Sequence, residues 1–356
     1  MKPLISVIIP CFNVSRYLPQ CMESLERQTI GIGNLELIFV DDASTDGGET
    51  WRCITEFERR YPDSVIAVHL EKNGRQGGAR NAGLCYANAD YIGFVDSDDW
   101  IEPQMYERLY RCVRENECDI AGCRMFLNFS DGTEVPYEKE DAPEEFVRYE
   151  KSIIEGGMHW VSDLIKSEYS AGIYAAIYRK VLLMKPYVSF PEHMKYEDNY
   201  WQPVLLLYAR SFYHLPDNLY HYRQHDASTV HERNDVRQFD RLDIELMKLD
   251  TYRKLGIFER FAKEVEWDFL GYYYANTLWK LWLLFDEPPY EVFVKMTDTV
   301  KALFPDYREN PYLSREQESL KHIMIGLIDR NLNRQQFLET GNIVLEWSRG
   351  DMEEKR

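Results

Sequence analysis

The sequence predicts an α/β protein whose mostly parallel sheet is flanked by helices and followed by a helical C-terminal region. Apolar, β-branched runs alternate with amphipathic stretches from Leu4 onward, an order that places helices on both faces of a parallel sheet. Beyond about Asn234 this alternation stops, and apolar residues recur at helical spacing. The chain has 356 residues, 45% of them hydrophobic, which is enough for two domains. We predict them at residues 1–234 and 235–356.

Charge and cysteine content restrict the function. The formal net charge of -18 disfavours nonspecific binding to nucleic acid phosphates. The seven cysteines are odd in number and include no CxxC pair, so we expect free thiols in a reducing compartment. No stretch approaches the roughly 20 apolar residues of a membrane-spanning helix. A cytoplasmic protein is therefore predicted, and association with the inner face of a membrane stays open.

The first three strands are predicted from continuous apolar runs. They are Leu4–Pro10, Leu35–Val40 and Val65–Leu70. Between them, apolar residues at helical spacing predict two helices. Ser15 is a candidate cap for the first helix, and Ser44, Thr45 and Asp46 are candidates for the second, because short polar side chains accept hydrogen bonds from the first turn of a helix.

The loop after the third strand, NGRQGGARNAGL, precedes a predicted helix over Ala79–Ala87. Gly77 and Gly78 leave room for an anion near the helix amino terminus, and the side chain of Arg80 can pair with phosphate or carboxylate. The loop matches neither GxxxxGK[ST] nor GxGxxG. A tight turn without a ligand is the alternative interpretation.

The stretch YIGFVDSDDW carries the strongest sign of a ligand site. Tyr91–Val95 reads as a buried strand, and its carboxyl end presents Asp96, Asp98 and Asp99. Crowded carboxylates repel one another unless a cation or a proton neutralises them, and hard oxygen ligands suit Mg²⁺ or Mn²⁺. The alternative is a solvated acidic turn in front of the helix that begins near Pro103.

The middle of the chain is less regular. A helix from Pro103 to about Asn116, a strand over Asp119–Phe126 and a hairpin turn at Asp131-Gly132 are predicted. Residues 137–148 are charged and irregular, which suits either a loop over the site or plain surface. The segment Ile177–Lys180 is predicted to start another helix.

A second acidic site lies at Glu197 and Asp198, which precede a predicted helix. Acids at a helix start also interact favourably with the helix dipole, so an isolated pair does not establish a catalytic role. Downstream, HYRQHDAST contains His221, Arg223 and His225. A histidine there could ligate metal or contact phosphate, or it could be an ordinary hydrogen-bonded residue.

The C-terminal region contains an apolar helical stripe. It comprises Leu270, Tyr274, Leu278, Leu281 and Phe285, and is widened by Trp279 and Trp282. Packing on the catalytic domain is the simplest interpretation. The alternative is a helix that binds a membrane surface or a partner, which the acidic surroundings do not favour.

In their order along the chain, these motifs resemble the family 2 glycosyltransferases, which have the GT-A nucleotide-sugar-binding fold. The resemblance covers roughly residues 3–230. It rests on SVIIPCFN, on QT followed by LELIFVDDASTDG, on NGRQGGARNAGL, on YIGFVDSDDW and on EDNYW. Each motif alone is weak, whereas the ordered set is specific. The helical C-terminal region carries no motif that we can assign.

The resemblance implies roles for individual residues. Asp198 would be the catalytic base, with Glu197 beside it, and Phe12 would lie against the base of the nucleotide. Asp98 would be the closer ligand of Mn²⁺ or Mg²⁺. The implied metal ligands are Asp98, Asp96 and His225, and the implied nucleotide-sugar-binding residues are Pro10, Phe12, Asn13, Asp41, Asp42, Arg80, Asp96 and Ser97.

The activity that the resemblance implies is inverting transfer of a sugar from a nucleotide sugar, UDP-linked, to a hydroxyl of a glycan or glycolipid acceptor in cell-surface polysaccharide biosynthesis. Two alternatives stay open. A sugar-phosphate nucleotidyltransferase characteristically carries a glycine-rich basic segment after the first strand, where this chain has CFNVSRYL. A non-catalytic nucleotide-binding scaffold is disfavoured by acids at every expected position. The sugar, the linkage and the oligomeric state leave no signal in the sequence.

Overall fold

A computed structural model describes residues 2–137, 144–159, 173–224, 232–313 and 319–354. Contacts between Cα atoms divide these residues into two compact units. The first contains residues 2–137, 144–159 and 173–224, and the second contains residues 232–313 and 319–354. Each unit is described separately.

The first unit contains one sheet of ten strands and six α-helices within the residues described. The strands are β1 (Ile5–Cys11), β2 (Leu35–Asp41), β3 (Val65–His69), β4 (Tyr91–Phe94), β5 (Trp100–Ile101), β6 (Ile120–Phe129), β7 (Glu134–Pro136), β8 (Glu145–Arg148), β9 (Ala176–Arg179) and β10 (Ser211–Gln224). The helices are α1 (Leu18–Glu26), α2 (Glu49–Arg60), α3 (Arg75–Leu84), α4 (Met105–Asn116), α5 (Lys180–Leu183) and α6 (Asp198–Leu206).

The sheet has the order β3-β2-β1-β4-β9-β6-β10-β5. Its first four strands are parallel, as predicted. Strand β9 then pairs antiparallel with both β4 and β6, so the sheet as a whole is mixed. Every residue of β1 and β2 is buried, which explains why these strands read as continuous apolar runs. The α/β prediction is confirmed.

Three elements differ from the sequence prediction. Residues 177–179 belong to strand β9 and do not start a helix; the helix begins only at Lys180. Residues 145–148 form β8, which pairs with β10, where an irregular segment was expected. Strand β10 was not predicted, because it carries polar and charged side chains along 14 residues. The hairpin at Asp131-Gly132 is confirmed: the amide of Phe129 donates to the carbonyl of Thr133 at 2.8 Å.

The predicted caps are partly wrong. The first helix begins at Leu18, and the hydroxyl of Ser15 lies 3.2 Å from a carboxylate oxygen of Glu49, outside that helix. Asp46 does serve α2, because its Oδ2 accepts from the backbone N–H of Thr50 at 3.0 Å. Helix α3 begins at Arg75, four residues before the predicted start.

The second unit is helical in its described residues. Its helices are α7 (Asp240–Lys254), α8 (Ile257–Arg260), α9 (Ala262–Phe269), a π-helical segment (Leu270–Asn276), α10 (Thr277–Leu284), α11 (Tyr290–Leu303), α12 (Leu320–Gly326) and α13 (Arg334–Glu354). The predicted apolar stripe runs from the π-helical segment through α10 to Phe285, and all five of its residues are buried. The π-helical segment contacts α7, α11 and α12 of the same unit. These side chains are therefore not an exposed face for a membrane.

None of the helices in the described parts of the chain combines the length and the apolar character that crossing a membrane requires.

A buried ion cluster lies inside the second unit. The ammonium of Lys248 on α7 is 2.7 Å from Glu245 Oε2 and 2.9 Å from Asp268 Oδ2, and the side chains of all three residues are almost fully buried. Burial raises the pKa of Glu245 to about 7, although Lys248 opposes this rise. One cation thus serves two buried carboxyl groups.

Replacing Lys248 with methionine is expected to lower the free energy of unfolding by roughly 3–5 kcal/mol, because two buried acids lose their counter-charge. Urea unfolding followed by circular dichroism measures the change. Lys254→Met is the matched control, since Lys254 pairs with Asp250 on the same helix but both side chains are more than half exposed; its expected cost is below about 1 kcal/mol. Equal losses in both variants would contradict the role assigned to Lys248.

Candidate active site

The loops that follow β1 and β2 are joined at the carboxyl edge of the parallel strands. Asn13 connects them: its backbone N–H donates to Ser44 Oγ at 2.9 Å, and its Oδ1 accepts from the N–H of Thr45 at 2.7 Å. Pro10 lies within β1 beside Val40, and the neighbouring Phe12 ring is 47% exposed. An aromatic ring exposed at this edge is available for stacking, whereas Asn13 is engaged with the loop after β2.

Asp41 is the last residue of β2, Asp42 follows it, and both are buried. Asp41 Oδ2 lies 2.8 Å from His69 Nδ1, so this acid contacts the end of β3. Asp42 Oδ1 accepts from the N–H of Gly74 at 2.7 Å. Burial raises the pKa of Asp42 to about 6, although that hydrogen bond opposes the rise. Asp42 therefore lies where the glycine-rich segment begins.

Arg80 joins the two acidic motifs. Its side chain is 1% exposed; Nη2 donates to Asp96 Oδ1 at 2.9 Å, and Nη1 donates to Glu197 Oε1 at 2.5 Å. The guanidinium also lies over the ring of Phe190, 5.4 Å from its centroid. Arg80 thus brings together the first acid of DSDD and the Glu-Asp motif.

The segment at residues 190–197 packs against helix α3. Asn81 bonds to the backbone of Phe190 twice, accepting from its N–H at 3.0 Å and donating to its carbonyl at 2.9 Å. A Cβ atom on Gly77 would lie 2.1 Å from the carbonyl oxygen of Pro191, so only glycine fits there. Gly77 therefore allows this segment to pack closely. Close packing explains why glycine stands at this position without the anion-binding role that was expected from the sequence.

The acidic turn after β4 is held by β10. The hydroxyl of Tyr220 donates to Asp99 Oδ2 at 2.7 Å and accepts from the N–H of Asp96 at 3.1 Å. Asp99 is fully buried, and its Oδ1 accepts from the N–H of Arg223 at 2.8 Å. Asp99 is thus a structural acid of the turn, whereas the side chain of Asp98 is partly exposed.

Carboxyl groups crowd the centre of the site. Burial raises the pKa of Asp96, the charges of Asp98 and Asp198 raise it further, and Arg80 opposes both effects. Burial likewise raises the pKa of Glu197 to about 7, against the attraction of Arg80. Asp198 is the first residue of α6 and is only partly buried. The structure therefore brings Arg80, Asp96, Asp98, Glu197 and Asp198 into one cluster.

Strained backbone occurs in the segments that carry these site residues. Five non-glycine residues there have positive φ angles: Asn13, Ala43, Arg75, His193 and Tyr196. Such conformations cost about 1–3 kcal/mol each and persist where the surrounding structure imposes them. Tyr196 immediately precedes Glu197, so the strain lies in the segment that delivers the second acidic motif.

The acids suit a cation whose coordination is completed by other ligands. No group of three or more His, Cys, Asp or Glu is arranged as a metal site within the residues that the structure describes. His225 lies outside those residues. Asp96 and Asp98 are close enough to raise the pKa of Asp96 by repulsion, and Mg²⁺ is commonly bound by one or two carboxylates together with substrate phosphates. The donor set fits that mode of binding.

Sequence reasoning missed two tyrosines of the site. Tyr220 holds the acidic turn, and Tyr174 stacks on it with a centroid distance of 5.4 Å. Burial raises the pKa of Tyr174, and the nearby charges of Asp96 and Asp198 contribute. Neither tyrosine belongs to a recognisable motif. Ser97 is buried next to Cys11, whose thiol pKa is raised by burial and lowered by this hydroxyl.

Comparisons with known proteins identify the family. The model of glycosyl transferase family 2 matches residues 6–183. The putative glycosyltransferase EpsH of Bacillus subtilis is 30% identical over 64% of this chain and 63% of its own length. The glycosyltransferase GlyG of Streptococcus pneumoniae is 32% identical over 66% of this chain and 76% of its own length.

A solved structure supports the fold over most of the chain. S. aureus TarS 1–349 in complex with UDP-GlcNAc matches with a TM-score of 0.57 and 19% identity, over 92% of this chain and 90% of that one. At this identity the match concerns the fold alone. The matched family model and the identity to GlyG lead to one conclusion: the chain belongs to glycosyl transferase family 2.

Proposed function

We propose that this protein transfers a sugar from a UDP-sugar to a hydroxyl of a glycan or glycolipid acceptor, with inversion at the anomeric carbon, in cell-surface polysaccharide biosynthesis. The observation that carries the proposal is the Arg80 bridge, in which one guanidinium contacts Asp96 at 2.9 Å and Glu197 at 2.5 Å. This bridge joins Asp96, which we assign to the donor site, to Glu197, the neighbour of Asp198.

Asp198 is proposed as the catalytic base. In the transfer, the acceptor oxygen forms a bond to the anomeric carbon while the bond to the diphosphate oxygen breaks, and UDP leaves with the electron pair. The acceptor proton passes to the Asp198 carboxylate, an effect typically worth about 10² to 10⁴ in rate. Glu197 is engaged by Arg80, which leaves the partly exposed Asp198 as the better proton acceptor.

Donor binding is proposed at the edge formed by β1, β2 and β4. The exposed Phe12 ring would stack on the base, and Asp42 would accept a hydrogen bond from it. Asp96 and Asp98 would hold Mn²⁺ or Mg²⁺, which would neutralise charge on the departing diphosphate. The UDP-GlcNAc complex of TarS, a protein of similar fold, supports a UDP-linked donor.

We further propose a cytoplasmic location at the inner face of a membrane. All seven cysteines are free in the structure, and five of them are buried. Thiols persist in reducing compartments, which supports the cytoplasmic assignment.

A thermal-shift experiment tests the donor site. We expect UDP with Mn²⁺ to raise the melting temperature more than GDP, CMP or TDP does, because the proposed donor is UDP-linked. A ligand at a hundredfold excess over its dissociation constant stabilises the folded state by about 2.7 kcal/mol. Asp98→Ala should abolish the part that depends on Mn²⁺. Asp90→Ala, which removes an exposed acid paired with Lys2, should leave the shift unchanged.

Product analysis separates the proposed activity from its alternatives. Incubation with UDP-sugars and an acceptor extract should release UDP. Release of pyrophosphate from UTP and a sugar phosphate would instead indicate a nucleotidyltransferase. If no nucleotide changes the melting temperature, the proposed donor site is wrong.

A further inference from the structure

The last described residues of β10 include an arginine that contacts two other parts of the first unit. Arg223 Nε donates to the backbone carbonyl of Asp98 at 2.7 Å, and Arg223 Nη2 donates to Gln20 Oε1 at 2.7 Å. Its backbone N–H donates to Asp99 Oδ1 at 2.8 Å. One residue therefore ties β10 to the acidic turn and to helix α1.

Two aromatic rings contact this guanidinium. It lies 4.6 Å from the centroid of Trp100 and 4.9 Å from that of Tyr17. The Trp100 ring is itself stacked on His221 at 4.9 Å, with an angle of 9° between the planes. Nε2 of His221 is 2.9 Å from Glu102 Oε1. The arginine is thus fixed by a packed stack as well as by hydrogen bonds.

The bond to the Asp98 carbonyl restrains the peptide group that follows Asp98. The guanidinium of Arg223 is a charged donor, and its two acceptors, the carbonyl of Asp98 and Oε1 of Gln20, are neutral. Hydrogen bonds from a charged donor are about twice as strong as bonds between neutral groups. A restrained peptide group fixes the direction in which the partly exposed Asp98 side chain leaves the turn. The turn itself is closed by a bond from the N–H of Asp99 to the carbonyl of Asp96 at 3.0 Å.

We propose that Arg223 is a positioning residue, which holds the turn so that the Asp98 carboxylate meets the donor diphosphate and its divalent cation in one orientation. The inference rests on the proposed function, and it adds a residue to which the family resemblance assigned no role. Arginine suits the task because its planar fork reaches two oxygens while its face packs on aromatic rings.

The first test needs no donor. Hydrogen–deuterium exchange of the full chain should show faster exchange in a peptide covering residues 95–102 of Arg223→Ala, with no change in peptides from β1 and β2. Arg223→Lys keeps the charge but loses the fork, so it should fall between wild type and Arg223→Ala. Arg108→Ala is the control, because Arg108 pairs with Asp217 of the same strand at 2.5 Å. Unchanged exchange at residues 95–102 would overturn the proposal.

The second test is a double-mutant cycle on the Mn²⁺-dependent affinity for UDP, measured by calorimetry. Arg223→Ala should weaken this affinity about 10- to 100-fold, the range expected for losing a hydrogen bond from a charged group. In the Asp98→Ala background the same substitution should cause little further loss. Additive losses would mean that Arg223 does not act through Asp98. If wild type binds no UDP, the proposed function fails, and the exchange experiment alone decides the role of Arg223.

Discussion

Replacing Asp198 with asparagine is expected to lower kcat by about 10² to 10⁴-fold and to leave the affinity for UDP unchanged. Asparagine has the shape of aspartate and can keep the bond from the N–H of Asn199 to Oδ1, which is 3.0 Å long. It cannot take up the acceptor proton. Initial rates with a UDP-sugar measure kcat, and calorimetry with UDP measures binding.

The matched control for this substitution is Asp217→Asn, which removes a carboxylate of the same unit that pairs with Arg108 and is more than one-third exposed. It should retain the wild-type rate. Unchanged transfer in Asp198→Asn would remove this residue from the mechanism. Loss of UDP binding in that variant would mean that Asp198 belongs to the donor site.

Replacing Arg80 with methionine is expected to give the largest loss of stability in the first unit, roughly 3–5 kcal/mol, because Asp96 and Glu197 would lose their shared cation in a buried site. The loss should depend on pH. Arg80 lowers the pKa of both acids, so its removal raises these values further in the folded state. Acids with a raised folded-state pKa destabilise the protein as pH rises.

The deficit of Arg80→Met should therefore be larger at pH 8 than at pH 5, and urea unfolding at both values measures it. Arg108→Met is the control: its partner Asp217 is partly exposed, and its expected cost is below about 1 kcal/mol at either pH. An Arg80→Met variant with the stability of wild type at pH 8 would show that the bridge does not stabilise the unit.

Strands β1, β2 and β4 of the parallel half were predictable because they are buried on both faces. In β1 and β2 every residue is buried, and the chain therefore shows an unbroken apolar run at each place. Strand β10 lacks that signal. It includes Pro216, Asp217 and Asn218, its burial is mixed, and its pairing with β6 shifts register at this point.

The candidate site was predictable as a set of positions but not as a set of contacts. Acids at the ends of strands signal a ligand edge, which is why Asp42, Asp96 and Asp98 could be named from the sequence. The partners of Arg80 could not, since Arg80 and Glu197 are separated by 117 positions along the chain and no local pattern connects them. The close packing of Gly77 against Pro191 is equally nonlocal.

The docking of residues 190–197 along α3 has a consequence for redesign of this protein. Asn81 bonds to backbone atoms of Phe190 and donates to Glu192 Oε1 at 3.0 Å, and Gly77 leaves no space for a side chain facing Pro191. Close backbone packing and specific side-chain pairs, among them Arg80 with Glu197, therefore match these two stretches to each other. A graft that changes substrate preference has to transfer residues 73–81 and 190–197 together. Either stretch taken alone would lose the packing and the hydrogen bonds that it makes with the other.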